Sequence, residues 1–308
     1  MTVQQNLLGF DLYEAAKVWD LEFERKVEPK SRHVVIDGFR LHYLDWGSRG
    51  KQPMLLLHGG GQTAHTWDFF SLCLRNEYHI YALDQRGHGD SEWSPISDYS
   101  EEAHQSDIEG FVEHFKLDKF ILIGLSMGGS NAYTYAAKHW DKLAGLVIVD
   151  VGPEVIIEGR RSIRDFTVST SQLDSIEKFV DRAVAFNPRR PREMLRRSLS
   201  HNLRQLPNGN WTWKTDRRRQ TEAGTEVDLR DSPELIEKRW GYIKSIRCPT
   251  LIVRGAETDI FTQEVADRMA QIIPGGRTVN ISKAGHTVMG DNPPEFESRV
   301  REFLKTLP

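Results

Sequence analysis

Only two cysteines occur in 308 residues, Cys73 and Cys248, far apart and in no metal or redox spacing. That excludes a zinc module and a disulfide-stapled scaffold, and the expectation is two free buried thiols. Long apolar runs are lacking as well: none approaches the roughly 18 residues of a membrane-spanning helix. The opening MTVQQNLLGF has no basic stretch, and polar residues interrupt its apolar positions, so it does not read as a signal peptide. The expected location is cytoplasmic, with no membrane partner. An excess of either charge is also missing. The 41 Lys+Arg against 44 Asp+Glu leave a net charge of −3, which argues against a nucleic-acid binder. No feature sets an oligomeric state.

What is present is an ordinary soluble composition, with 39% hydrophobic and 28% charged residues. The length fits about two domains, or one large core carrying an insertion. His33–Asp37 and Leu41–Trp46 flank Asp37-Gly38, a hairpin signal. Met54–Leu57, Tyr78–Leu83, Phe120–Ile123, Leu146–Val149, Thr250–Val253 and Thr278–Ile281 are continuous or nearly continuous β-type runs. Runs of that kind predict strands covered on both faces, as in a parallel sheet. Ile108, Phe111, Val112 and Phe115 predict a helix between two of them, and Phe296, Val300, Phe303 and Leu304 a last helix. The alternation is that of an α/β fold.

Two stretches depart from it. Residues 1–30 form an extension in which Leu12, Ala16, Trp19 and Phe23 sit at helical spacing. Residues 152–245 read as mostly helical, dividing a core of 31–151 and 246–308. Leu173, Ile176, Val180 and Val184 make one stripe there, and Leu195, Leu199, Leu203 and Leu206 another, opened by Pro191. Ser232-Pro233 predicts a further helix start. The segment is rich in arginine (Arg189, Arg190, Arg192, Arg196, Arg197, Arg217–Arg219). A solvated helix face accounts for that; a site for an anionic substrate is the sharper alternative.

The most informative stretch is Gly124-Leu125-Ser126-Met127-Gly128-Gly129. It follows an apolar strand and precedes a helical segment, the context that a Gly-x-Ser-x-Gly turn needs to hold a nucleophilic serine at the sheet's carboxyl end. A serine hydroxyl needs a base. Among 11 histidines, His286 is favoured, just after the last expected strand and preceded by Gly285. The base needs a carboxylate to fix its tautomer. Asp259 is the first choice, after Thr250–Val253, with Glu257 and Asp150 as the other candidates. His58-Gly59-Gly60-Gly61 follows Met54–Leu57. A backbone N–H there, from Gly60 first and Gly61 second, is expected to join that of Met127 as an oxyanion hole, with His58 supporting the loop. Residues 84–91, DQRGHGDS, read as scaffold.

Together these motifs resemble the α/β-hydrolase fold superfamily, from about residue 33 to 305. The resemblance implies an eight-stranded, mostly parallel sheet with a helical cap inserted after the sixth strand, over residues 152–245. Trp211 and Trp213 could then wall the substrate, although cap packing explains them equally well. The resemblance also implies a serine rather than an aspartate nucleophile, against epoxide hydrolases and haloalkane dehalogenases. The elbow is similar to those of esterases and lactonases; carbon–carbon bond hydrolases of ring-cleavage products share the Ser, Asp and His types and are the enzymatic alternative. Many relatives place the acid closer to the glycine than Asp259 lies to Gly255, which keeps Glu257 in play. The expectation is a serine hydrolase of small carboxylic esters or lactones, needing no metal or organic cofactor. A small-molecule receptor on the same fold is the non-enzymatic alternative.

Overall fold

The computed structural model describes residues 11–169, 171–218 and 232–308, and the labels below number the elements found there. Asp37 and Gly38 both adopt positive φ, 49° and 81°, a two-residue turn whose twist suits a hairpin. They join β1 (Lys30–Ile36) to β2 (Phe39–Asp45), which pair antiparallel. The apolar runs then form β3 (Gln52–Leu57), β4 (Tyr78–Leu83), β5 (Phe120–Leu125) and β6 (Leu143–Val149). After β6 come the short strands β7 (Gln172–Leu173), β8 (Leu203–Gln205) and β9 (Trp211–Trp213), and then β10 (Thr250–Gly255) and β11 (Arg277–Ile281). The main sheet has eight strands in the order β1-β2-β4-β3-β5-β6-β10-β11. Strands from β4 onward in that order pair in parallel, and β1 and β2 pair antiparallel at one edge.

The connecting helices are α1 (Leu12–Val18), α2 (Asp68–Leu74), α3 (Glu101–His114), α4 (Met127–His139), α5 (Ile157–Ser169), α6 (Ile176–Phe186) and α7 (Arg192–Asn202). They continue with α8 (Pro233–Ser245), α9 (Gln263–Ile272), α10 (Val288–Asp291) and α11 (Pro293–Leu304). Strand residues alternate between two cores. Met54 and Leu56 pack with Trp67, Ile123 and Phe296 on one face. Leu55 and Leu57 pack with Phe111, Tyr133 and Met269 on the other. Burying a side chain such as Phe296 contributes about 2–3 kcal/mol, so the two layers hold the strand ends in fixed register.

Residues 176–213 gather a third, separate cluster around Phe179, Val180, Leu195, Leu199 and Trp213. The last expected helix of the 152–245 segment behaves differently: Trp240 and Ile243 of α8 belong to the main core beside Tyr133 of α4. Ser232 caps α8 and Thr262 caps α9, each accepting a backbone N–H at 3.3 Å. The 195–206 stripe is only partly helical. α7 ends at Asn202 because Leu203 turns extended (φ −111°, ψ 152°) to begin β8. The N-terminal stripe is likewise cut short. Trp19 is the C-cap of α1, so Phe23 packs on the same core from outside the helix. Residues 1–10 of the extension, and Arg219 of the arginine run, lie outside the described residues.

Both cysteines are free. Burial pushes their thiols up, to about 12 for Cys73 and about 11 for Cys248. Among the described residues, no helix is long and apolar enough to cross a membrane.

Candidate active site

β5 ends at Leu125, α4 begins at Met127, and Ser126 alone makes the turn, with φ 53° and ψ −116°. A non-glycine residue there is strained. Two glycines permit it. A Cβ on Gly124 would strike the carbonyl of Gly128, and one on Gly128 would strike the carbonyl of Leu57. The strain is held by the sheet, since the Ser126 N–H donates to the Val149 carbonyl at 2.9 Å. Ser126 and Met127 are half-buried at the amino end of α4, where the helix dipole favours developing negative charge.

Val149 is followed by Asp150, which is fully buried and also at positive φ, 51°. Its N–H donates to Val253 of β10 at 2.8 Å. Its carboxylate collects three donors: the Gly255 N–H at 2.9 Å, the Thr258 hydroxyl at 2.6 Å and Nδ1 of His286 at 2.9 Å. Nδ1 therefore carries the proton, and Nε2 is the nitrogen left to receive one. The His286 loop is fixed from behind by the Gly285 N–H on Asp291 Oδ2, at 2.9 Å. Ser126 and Asp150 thus follow the carboxyl ends of the neighbouring strands β5 and β6, and Asp150 holds the imidazole that follows β11.

The carboxylate that the structure places on His286 is Asp150, not the expected Asp259. Asp259 is exposed, and its carboxylate accepts no hydrogen bond among the described residues. Glu257 is also exposed and pairs with Arg189 at 2.7 Å. The β10 loop contributes donors to Asp150, through Gly255 and Thr258, rather than a carboxylate to His286. Asp150 had a legible signal that position alone did not weight: it is the first polar residue after the wholly apolar β6.

The loop after β3 lies against the elbow: a Cβ on Gly59 would sit 3.4 Å from Ser126 Cβ. Gln62 accepts the Gly59 N–H at 3.0 Å and clamps this loop. Gly60 is exposed, and Gly61 sits at φ 75°. Neither of their N–H groups is bonded to another described residue. His58 acts as a strut. It is fully buried, its Nδ1 donates to the Gly59 carbonyl at 2.8 Å, and its Nε2 accepts the Gln85 N–H at 3.0 Å. Burial keeps its pKa below the usual value.

The 84–91 loop is scaffold, as read. Asp84 accepts from the Ala64 and Asp90 N–H groups and from His42, at 2.6, 2.9 and 2.7 Å. Gln85 bridges the His58 carbonyl to Asn131 of α4, and Arg86 grips Asp107 with two bonds, of 2.6 and 2.7 Å. The tryptophans are accounted for by packing: Trp213 is buried edge-on to Phe179 in the third cluster, with Trp211 beside it.

A cleft opens between the Gln62 loop, Thr287 and α7. His65, Asp68 and His201 lie there within 4.8 Å of one another, a possible cation cage by residue type. Arg197 already occupies it, donating to Asp68 at 2.7 Å and to His201 at 2.9 Å. A guanidinium in that position repels a cation. Most other arginines of the tract are also paired: Arg192 and Arg196 with Glu177, and Arg218 with Asp216.

The chain is 30% identical over 272 residues to the esterase Rv0045c of Mycobacterium tuberculosis, covering 85% of this chain and 86% of that protein. It is 28% identical to the N-formylmaleamate deformylase of Pseudomonas putida, over 88% and 95% of the two chains. The crystal structure of the M. tuberculosis esterase superposes with a TM-score of 0.75 at 27% identity, covering 97% of this chain and 99% of that one. Residues 52–293 match the model of the alpha/beta hydrolase fold. A strained serine between strand and helix, an imidazole held by a buried carboxylate one strand away, and a family match spanning both make this chain a member of the alpha/beta hydrolase fold family.

Proposed function

We propose that the protein is a serine hydrolase that cleaves carboxylic esters or lactones of small molecules through an acyl-enzyme. The observation that carries this reading is the 2.9 Å bond from His286 Nδ1 to Asp150, at the strand end beside Ser126. In the reaction, Nε2 of His286 takes the Ser126 proton as Oγ attacks the acyl carbon. Asp150 steadies the imidazolium so formed. The Met127 and Gly60 N–H groups receive the oxyanion of the tetrahedral intermediate. The intermediate collapses as His286 returns its proton to the leaving oxygen. Water, deprotonated by the same nitrogen, then frees the acid.

The clustered residues 176–213, bonded to the core through Asp68, form a cap over the cleft. The relatives' names, an esterase and a deformylase, support hydrolysis at an acyl carbon. The reading requires no metal or organic cofactor. Turnover of p-nitrophenyl butyrate tests it. Ser126→Ala is expected to lower kcat by about 10⁴-fold or more and to abolish labelling by a serine-directed phosphonate. Labelling that persists in Ser126→Ala overturns the assignment.

A further inference from the structure

The cleft holds one cation whose donors are mostly unused. Arg190, just before α7, has a side chain only 10% exposed, yet its one hydrogen-bond acceptor among the described residues is the Ser198 hydroxyl, at 2.8 Å from Nη2. Its Nε is buried and bonds to nothing. The nearest carboxylate, Asp291, stands 4.0 Å from that Nε. Both Asp291 oxygens are already engaged, by the Gly285 N–H and by Asn187, each at 2.9 Å. Arg190 therefore has a distant counter-charge behind it and a lean set of partners in front. Its neighbour Arg197 differs in having a close counter-charge: it donates to Asp68 at 2.7 Å and to His201 at 2.9 Å, while its Nε is likewise buried without an acceptor among the described residues. A buried guanidinium left this way is costly, and burial accordingly depresses its pKa, opposed by Asp291.

The position is informative. Arg190, Ser198, Gln62 and Thr287 line the same cleft. Gln62 clamps the loop against Ser126, and Thr287 directly follows the imidazole. Gly290 makes this arrangement possible, because a Cβ there would lie 2.9 Å from Arg190 Cζ. Arg190 thus shares a cleft with residues of the two loops that flank Ser126 and His286.

We infer that Arg190 receives a carboxylate carried by the substrate, with the Ser198 and Thr287 hydroxyls beside it, so that the preferred substrates are half-esters of dicarboxylic acids or lactones bearing a free acid. The planar guanidinium edge fits a carboxylate in bidentate fashion. This names the substrate class of the site proposed above and rests on that reading.

The test has one arm with turnover and one without. In the first, kcat/KM is measured for p-nitrophenyl hydrogen glutarate and for p-nitrophenyl pentanoate, a neutral ester of similar length. The wild-type protein is expected to favour the charged ester by about tenfold or more, the range of a charge-assisted hydrogen bond. Arg190→Gln is expected to bring that ratio close to one, and Arg190→Lys to restore part of it. In the second arm, calorimetry follows glutarate, dimethyl glutarate and inorganic phosphate. Wild-type protein is expected to bind glutarate alone, and Arg190→Gln to lose it.

A wild-type ratio at or below one without glutarate binding overturns the inference and leaves the hydrolase reading standing. A high ratio that survives in Arg190→Gln overturns it too, as does phosphate binding as tightly as glutarate. Glutarate binding through Arg190 with neither ester hydrolysed supports the anion site and overturns the hydrolase reading. Should Arg190→Gln fail to fold, the wild-type ratio and its glutarate binding decide the matter alone.

Discussion

The Arg197 guanidinium donates to the Asp68 carboxylate at 2.7 Å, joining α7 to the first turn of α2, with both side chains more than nine-tenths buried. This pair ties residues 176–213 to the core. Removing one partner leaves the other charged and buried, which costs about 3–5 kcal/mol. Arg197→Ala is therefore expected to lower stability by about that much in urea denaturation, with faster hydrogen exchange across α6 and α7. A loss under about 1 kcal/mol would mean that the pair behaves like a surface ion pair and does not hold the junction.

The elbow makes a sharper steric demand. Gly128→Ala drives a methyl into the Leu57 carbonyl, a backbone atom that cannot swing aside. A loss of about 2 kcal/mol or more in stability is expected. Gly60→Ala meets nothing within 4 Å, so its melting temperature is expected to match the wild type. Equal melting temperatures for both variants would refute the close approach of α4 to β3.

The readable parts of this molecule were those written locally. The β5–Ser126–α4 turn, the hairpin at Asp37-Gly38 and the cap at Ser232 each depend on neighbouring residues, and each lies where the sequence places it. The identity of the acid depends on sheet order. Asp150 and His286 are separated by 136 positions, and the sheet order β6-β10-β11 brings them together. In sequence, Asp259 and Glu257 have the same glycine-rich, strand-exit setting as Asp150. What separates them is three convergent donors on a wholly buried carboxylate. The arginine tract was similarly ambiguous. Its ion pairs with Glu177, Asp68 and Asp216 satisfy the bland reading, and Arg190, in the cleft, departs from it in a way that only packing exposes.

Asp84 gives the fold an acid-sensitive element. Burial pushes its pKa upward, but the hydrogen bond and charge of His42, the charge of His58 and the Asp90 N–H outweigh that and hold it at about 2. The unfolded chain titrates near 4, so it binds the proton first as pH falls. Asp84 thus contributes stability that is present above about pH 4 and lost as pH falls toward 2. Between pH 5 and 3 the loss from this group is expected to be about 1 kcal/mol. Urea denaturation at both pH values checks it: Asp84→Asn, less stable at pH 7, should show a smaller change across the interval. An unchanged pH dependence would remove Asp84 from the account.

The pairing of His286 with Asp150 underlies the whole catalytic reading, and two substitutions test it directly. The measurement is kcat for p-nitrophenyl butyrate in Asp150→Asn and Asp259→Asn, with circular dichroism confirming that each variant is folded. Asp150→Asn removes the acceptor that fixes the imidazole tautomer and is expected to lower kcat by about 10⁴-fold. Asp259→Asn alters an exposed carboxylate and is expected to stay within about threefold of wild type. The opposite pattern, a collapse in Asp259→Asn with near-normal turnover in Asp150→Asn, would contradict the account.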